Sequence, residues 1–214
     1  MRIFLFLALV LFMMSSCNNS GKSGQTFCDT TCNNDTIRFE GNSVFEQKLK
    51  IGMRNCFPDT VSWTHRKALN ERKIQLTEFL NKNLKINRKA VDAAFQDTSF
   101  VWLSFNDCVT GRGYLLKLPY SQGQTQKISG ALNSFDPKFS VDPDLRAYTD
   151  RGNIYVVNVT NGNQAQMTFK EEYKDIDFDD VHKVIDTINV TKSRIFVRLL
   201  KNGTEVPIEK KIEL

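Results

Sequence analysis

The sequence predicts a mainly β domain, an antiparallel β-meander or sandwich with one or two short helices around residues 70–96. Three observations carry this. After residue 97 apolar and polar residues alternate through most of the chain, which is the period of a strand with one buried face. Turn strings such as TGRG, DP, RGN and NGN recur between the alternating runs. The chain holds 16 Phe, a side chain that suits pleated, half-buried surfaces, and many of them stand between polar residues.

The elements follow in order. "DTIRFEG", "VFEQKLKIGM" and "TVSWT" alternate and read as strands. The middle changes period. In "NERKIQLTEFLNKNL", Ile74, Leu76, Phe79, Leu80 and Leu84 fall near one helical face. In "NRKAVDAAFQD", Asn87 stands where a helix N-cap would, with Val91, Ala94 and Phe95 as the apolar stripe. Residues 99–105 are almost continuously apolar and predict a buried strand. Residues 114–119 return as its hairpin partner. "FDPKFSVDPDL" places two Asp-Pro turn signals around a short strand. Residues 154–160 and 194–200 are further strands, with Trp102, Tyr155 and Phe196 expected in the core. Asn161-Gly162 and Asn202-Gly203 are expected as two-residue hairpin turns, whose central residues both take positive φ.

The start of the chain gives an address. Residues 1–16 have the layout of a secretory signal: Arg2, an apolar run of about a dozen residues, then two serines. The run is too short to span a bilayer, which takes about 20 residues. Met14-Ser15-Ser16-Cys17 resembles the lipobox of bacterial lipoproteins, with Met14 where that family prefers Leu. The resemblance implies that Cys17 is acylated, becomes the mature N-terminus and holds the protein to a membrane of the bacterial cell envelope. Such proteins carry several acyl chains, which anchor stably where one is marginal. Residues 17–26 then read as a lipidated flexible tether, and residues 27–214 as a single mostly β domain. An ordinary signal peptide cut near Ser20, discarding Cys17, is the alternative.

Cys28, Cys32, Cys56 and Cys108 remain, an even number in an exported chain, which predicts disulfides with three possible connectivities. Cys28 and Cys32 have metal-like spacing, but the other two are isolated and no histidine stands beside any of the four. The formal net charge of +5 is spread along the chain. The densest basic stretch, "HRKALNERK", is interrupted by Glu71, and no basic-aromatic motif argues for nucleic acid. A modest positive charge does suit proximity to anionic lipid headgroups.

Candidate chemistry is sparse. His65 and His182 sit in no metal or triad pattern, and no phosphate-loop, nucleophile-elbow or zincin string is present. Asp175, Asp177 and Asp179 have the alternating spacing of a calcium loop. Asp180 and Asp186, however, stand where an EF-hand needs its Gly and its Glu, so a solvated acidic turn is the reading. No cofactor is implied. Asp-Thr strings at 29–31, 35–37, 59–61 and 186–188 are similar to an O-glycan acceptor pattern of some bacterial envelopes, and are also common at turns. Residues 135–169 resemble one blade of a TolB-like or WD-repeat β-propeller, which implies a partial propeller-like sheet as the alternative fold. Together these lead to the expectation of a lipid-anchored envelope protein, a non-catalytic binding or structural module whose partner is a protein or a glycan. An inhibitor or immunity protein against a periplasmic toxin or hydrolase, and a glycan-active enzyme, are the alternatives.

Overall fold

A computed structural model describes residues 32, 34–68, 70–169, 184–201 and 203–214. They form three sheets and one short helix. The N-terminal sheet holds β1 (Ile37–Glu40), β2 (Lys48–Arg54), β3 (Phe57–Thr64) and β4 (Arg72–Gln75) in sequence order, all antiparallel. Helix α1 (Leu76–Leu80) follows β4. The central sheet has seven strands: β5 (Ile86–Gln96), β6 (Phe100–Asp107), β7 (Gly113–Pro119), β8 (Lys127–Leu132), β10 (Leu145–Asp150), β11 (Asn153–Asn158) and β12 (Gln164–Thr168). The C-terminal sheet runs β15 (Thr204–Lys211), β14 (Arg194–Lys201), β13 (Ile185–Thr191) and β9 (Phe139–Val141), with β9 parallel to β13. The mainly β, antiparallel architecture matches the sequence expectation, and the sheets do not close into a barrel.

Both outer sheets pack on one face of the central sheet. The registers put Leu103, Leu116, Leu132, Ala147 and Val156 on that face. At the β5–β7 end it meets the N-terminal sheet in a core containing Leu49, Val61, Trp63, Phe105 and Tyr114. At the β8–β12 end it meets the C-terminal sheet in a core of Ile154, Met167, Ile188, Ile195 and Val197. Each buried aliphatic or aromatic side chain contributes about 1.5–3 kcal/mol, so the period-2 pattern drives this layering.

Several expectations need correction. Residues 86–96 are strand β5, not a helix capped by Asn87. The strand is irregular between Ile86 and Val91, which breaks its alternation. It buries both faces: Val91, Ala93 and Phe95 line the N-terminal core, and Ala94 packs behind. Two half-buried faces plus a bulge imitate helical spacing. Ile74 belongs to β4, and the helix beginning at Leu76 ends after one turn because Asn81 takes a left-handed conformation (φ 51°). Trp102 is buried as expected, but on the far face of the central sheet. Tyr155 and Phe196 are only half buried, because their neighbours Ile154, Val156, Ile195 and Val197 take the core positions.

The turns also differ. Two-residue turns with both central residues at positive φ occur at Asn55-Cys56 (50° and 68°) and Arg151-Gly152 (46° and 73°). At Asn161-Gly162 only the glycine is positive (78°), and four residues, 159–162, lie between the hydrogen-bonded pair Asn158 and Asn163. Gly162 N–H donates to the Asn158 carbonyl at 2.8 Å, and Asn158 N–H donates to Asn163 at 2.9 Å. The β6–β7 hairpin repeats this: Gly111 (φ 73°) donates to Asp107 at 2.8 Å, and Asp107 donates to Arg112 at 2.8 Å. An Asx side chain opens each loop, Asn158 accepting from the Thr160 amide and Asp107 from the Thr110 hydroxyl. Asn202 lies outside the described residues; Gly203 has φ 77° between the paired Lys201 and Thr204.

Within residues 135–169, β10, β11 and β12 form an antiparallel meander, while β9 leaves it to join the C-terminal sheet.

Candidate functional site

The face of the central sheet turned away from both outer sheets holds the most developed site. The registers place Asp92, Trp102, Ser104, Leu115, Ala131, Arg146, Tyr148 and Val157 on it. This face is concave. Arg146 Nη2 donates to Asp92 Oδ2 at 2.5 Å, although β10 and β5 are four strands apart. Strands about 4.8 Å apart would separate them by ~19 Å in a flat sheet, beyond the combined reach of the two side chains. The sheet must therefore curl around this face. Curling also explains why Trp102 is 5% exposed although, among the described residues, no second layer of strands lies over it. It packs with Leu115, Ala131 and Val157, edge-on to Phe100 at 5.3 Å, with Tyr148 at 6.5 Å. Tyr148 in turn stacks on Tyr155 at 5.3 Å. Lys117 caps the row 3.9 Å from the Phe100 ring. Burial of this ammonium and the nearby charge of Lys127 lower its pKa. Burial pushes the Tyr148 hydroxyl up, with Tyr155 and Asp150 adding to it.

At one end of the concave face, where β8 and β10 run on into the 133–145 segment, lies a cleft of about 440 Å³. Asp92, Ser104, Leu115, Asn133, Phe135 and Arg146 are among its lining residues. Arg146 is the anchor. Nη1 donates to the carbonyls of Pro143 and Leu145, both at 2.9 Å, while Nη2 holds Asp92. The Arg146 side chain is 13% exposed and that of Asp92 48%, so the carboxylate stands at the mouth and the guanidinium below it. Arg146 Nε is buried and has no hydrogen-bond partner among the described residues. A buried donor left so costs about 1–3 kcal/mol. Behind it, Asn133 Nδ2 donates to Asn106 Oδ1 at 2.7 Å and to Ser104 Oγ at 3.2 Å, fixing the amide orientation. The cleft thus offers one half-exposed carboxylate, a held guanidinium, fixed amides and apolar walls.

Of the sites expected from sequence, Cys17, Cys28, Asp175, Asp177, Asp179 and His182 lie outside the described residues. Cys32 and Cys56 form a disulfide with Cα atoms 4.9 Å apart, and Cys108 is disulfide-bonded as well. Cys56 occupies a positive-φ turn position, and its N–H donates to Asn34 Oδ1 at 2.9 Å. His65 sits edge-on to Tyr120, ring centroids 4.6 Å apart, as a packing residue. Among the described residues no group of three or more His, Cys, Asp or Glu is arranged to hold a metal ion. The sequence reading missed the cleft. Its signal was an uncompensated charge inside each of two apolar runs, Asp92 in "KAVDAAF" and Arg146 in "DLRAY". No family model, curated protein or solved structure matches this chain.

Proposed function

We propose that this chain is a lipid-anchored protein of the bacterial cell envelope whose β domain binds a partner, without catalysis, through the cleft at Arg146. The observation that carries the binding reading is the Arg146 guanidinium, mostly buried at the floor of a concave sheet face beneath the half-exposed Asp92 carboxylate. Export is supported by the oxidised cysteines, since disulfides persist in oxidising compartments. The membrane attachment rests on the lipobox-like "MSSC" and the cysteine at position 17.

Two measurements test this. Metabolic labelling with palmitate should mark the wild type and not Cys17→Ser, which should leave the membrane fraction or accumulate as precursor; an unlabelled wild type rejects the anchor. A photo-crosslinking residue at Ser134, on the cleft rim, should give one dominant adduct in intact cells, reduced at least tenfold by Arg146→Gln. A crosslinker at Thr204, on β15, should not give it. Equal adducts at both positions reject the cleft as the binding site. A captured hydrolase or toxin would make the chain its inhibitor.

A further inference from the structure

One end of the molecule brings together three segments distant in sequence. The β2–β3 turn (residues 54–57), the stretch from α1 into β5 (residues 82–89) and the β6–β7 loop (residues 108–111) are joined by direct contacts. Lys85 Nζ lies 5.8 Å from the centre of the Phe57 ring. Cys108 N–H donates to the Lys85 carbonyl at 2.6 Å, and Lys85 N–H donates to Asp107 Oδ1 at 3.4 Å. These segments hold Arg54, Lys82, Lys85, Arg88 and Lys89, and not one Asp or Glu. Asp107, beside them, is 4% exposed and turned inward. The same end carries two exposed large apolar side chains, Phe57 (38%) and Val109 (73%).

This end is also where the chain's N-terminal part is tied. Cys32 is bonded to Cys56 inside the first of the three segments. Cys17 lies fifteen residues before Cys32. Whatever path they take, fifteen residues span at most about 50 Å. A lipid on Cys17 therefore keeps this face of the domain within reach of the bilayer.

We infer that this basic, apolar-tipped end is a membrane-docking surface that sits on anionic phospholipid headgroups, with Phe57 and Val109 entering the interfacial layer and the five cations facing lipid phosphates. The inference rests on the lipid-anchor reading for its biological setting and on the structure for its surface. It orients the protein, presenting this end to the bilayer.

The test uses the chain from residue 17 onward, exported behind a conventional cleavable leader with Ser at position 17. It then carries no acyl group and forms its disulfides. Sedimentation with vesicles of 70% phosphatidylcholine and 30% phosphatidylglycerol should pull it down at 50 mM salt. Phosphatidylcholine alone should not, and 500 mM salt should release it. Each cation near the surface contributes about fivefold in partitioning, so Lys85→Glu/Arg88→Glu should weaken binding more than twentyfold. Phe57→Ser/Val109→Ser should weaken it at constant salt sensitivity, and Lys192→Glu, on the C-terminal sheet, should not change it. Absent binding, salt-insensitive binding, or equal losses for Lys85→Glu/Arg88→Glu and Lys192→Glu would overturn the inference. Palmitate labelling reports separately: a labelled protein that ignores anionic vesicles keeps its anchor and loses this surface. An unlabelled protein that binds them keeps the surface and loses the anchor.

Discussion

The two sandwiches that share the central sheet are built differently. The N-terminal core is rich in aromatic side chains with polar handles. Trp63 Nε1 donates to the Pro119 carbonyl at 2.9 Å. Arg72 donates to the same carbonyl at 2.8 Å and to the carbonyls of Ser121 and Gln124, its guanidinium 5.4 Å from the Trp63 ring. One corner is thus fixed directionally, and the Cys32–Cys56 disulfide staples the same sheet. The C-terminal core is mainly aliphatic. Its surface carries ion pairs such as Arg198–Asp186 at 2.7 Å and Lys192–Asp144 at 2.9 Å, each with partly exposed partners and worth little individually. Shape and ladder register hold that half. The difference shows where directional contacts are concentrated: on the half that the Cys32–Cys56 disulfide joins to the N-terminal part of the chain.

The largest expected effect follows from this contrast. Trp63→Ala should cost about 4 kcal/mol, through the cavity and the lost indole hydrogen bond to a Pro119 carbonyl that Arg72 still satisfies, against about 3 kcal/mol for Ile195→Ala in the other core. Urea unfolding gives both values. Hydrogen exchange on the Trp63 variant should show β1–β4 losing protection first while β13–β15 keep theirs, because the two buried clusters share no residue. Uniform loss would mean that the shared sheet makes one cooperative unit and that the contrast has no energetic meaning.

A smaller effect comes from the staple. Cys32→Ser/Cys56→Ser opens a loop with sequence separation 24 and should cost about 3 kcal/mol by loop-closure entropy. The loss should again fall on the N-terminal sheet, read as earlier proteolytic cleavage between β1 and β4. Cleavage first appearing in β13–β15 would reverse the comparison.

The sequence made the C-terminal half easy to read and parts of the N-terminal half hard. β10, β13 and β14 each bury mainly one face, so alternation shows directly there, and the Asp136-Pro137 and Asp142-Pro143 turns bracket β9 as expected. β5 was illegible because the curled sheet covers its second face as well, leaving Ala94 and Phe95 both partly buried beside a bulge. The cleft was illegible for a related reason. Asp92 and Arg146 lie 54 residues apart, and only curvature, which no local pattern encodes, brings them to contact. The Asn161-Gly162 turn failed because Asn158 and Asn161 hydrogen-bond their own loop, which favours a four-residue connection over a two-residue one.

The smallest effect is pH-dependent and belongs to the N-terminal half alone. Desolvation, and then the charge of Lys67, lowers the His65 pKa below its ordinary 6.5. The geometry agrees: Nδ1 accepts the Lys67 N–H at 3.2 Å, a bond that requires the unprotonated nitrogen, and the ring packs edge-on against Tyr120. Below pH 6.5 the unfolded chain therefore takes up a proton that the folded one resists. Stability from this residue is complete above the ordinary value, falls as pH drops through it, and stops falling once the folded-state pKa is passed. His65 is partly exposed, so the loss should be small, and His65→Gln should flatten the stability slope between pH 7 and 5. Proton NMR titration should show the His65 ring titrating below pH 6.5, the resonance being assigned by its disappearance in that variant. A His65 titrating above 6.5 would mean that the Lys67 amide bond does not form, and that this corner of the N-terminal half is looser than its Trp63–Arg72 neighbour.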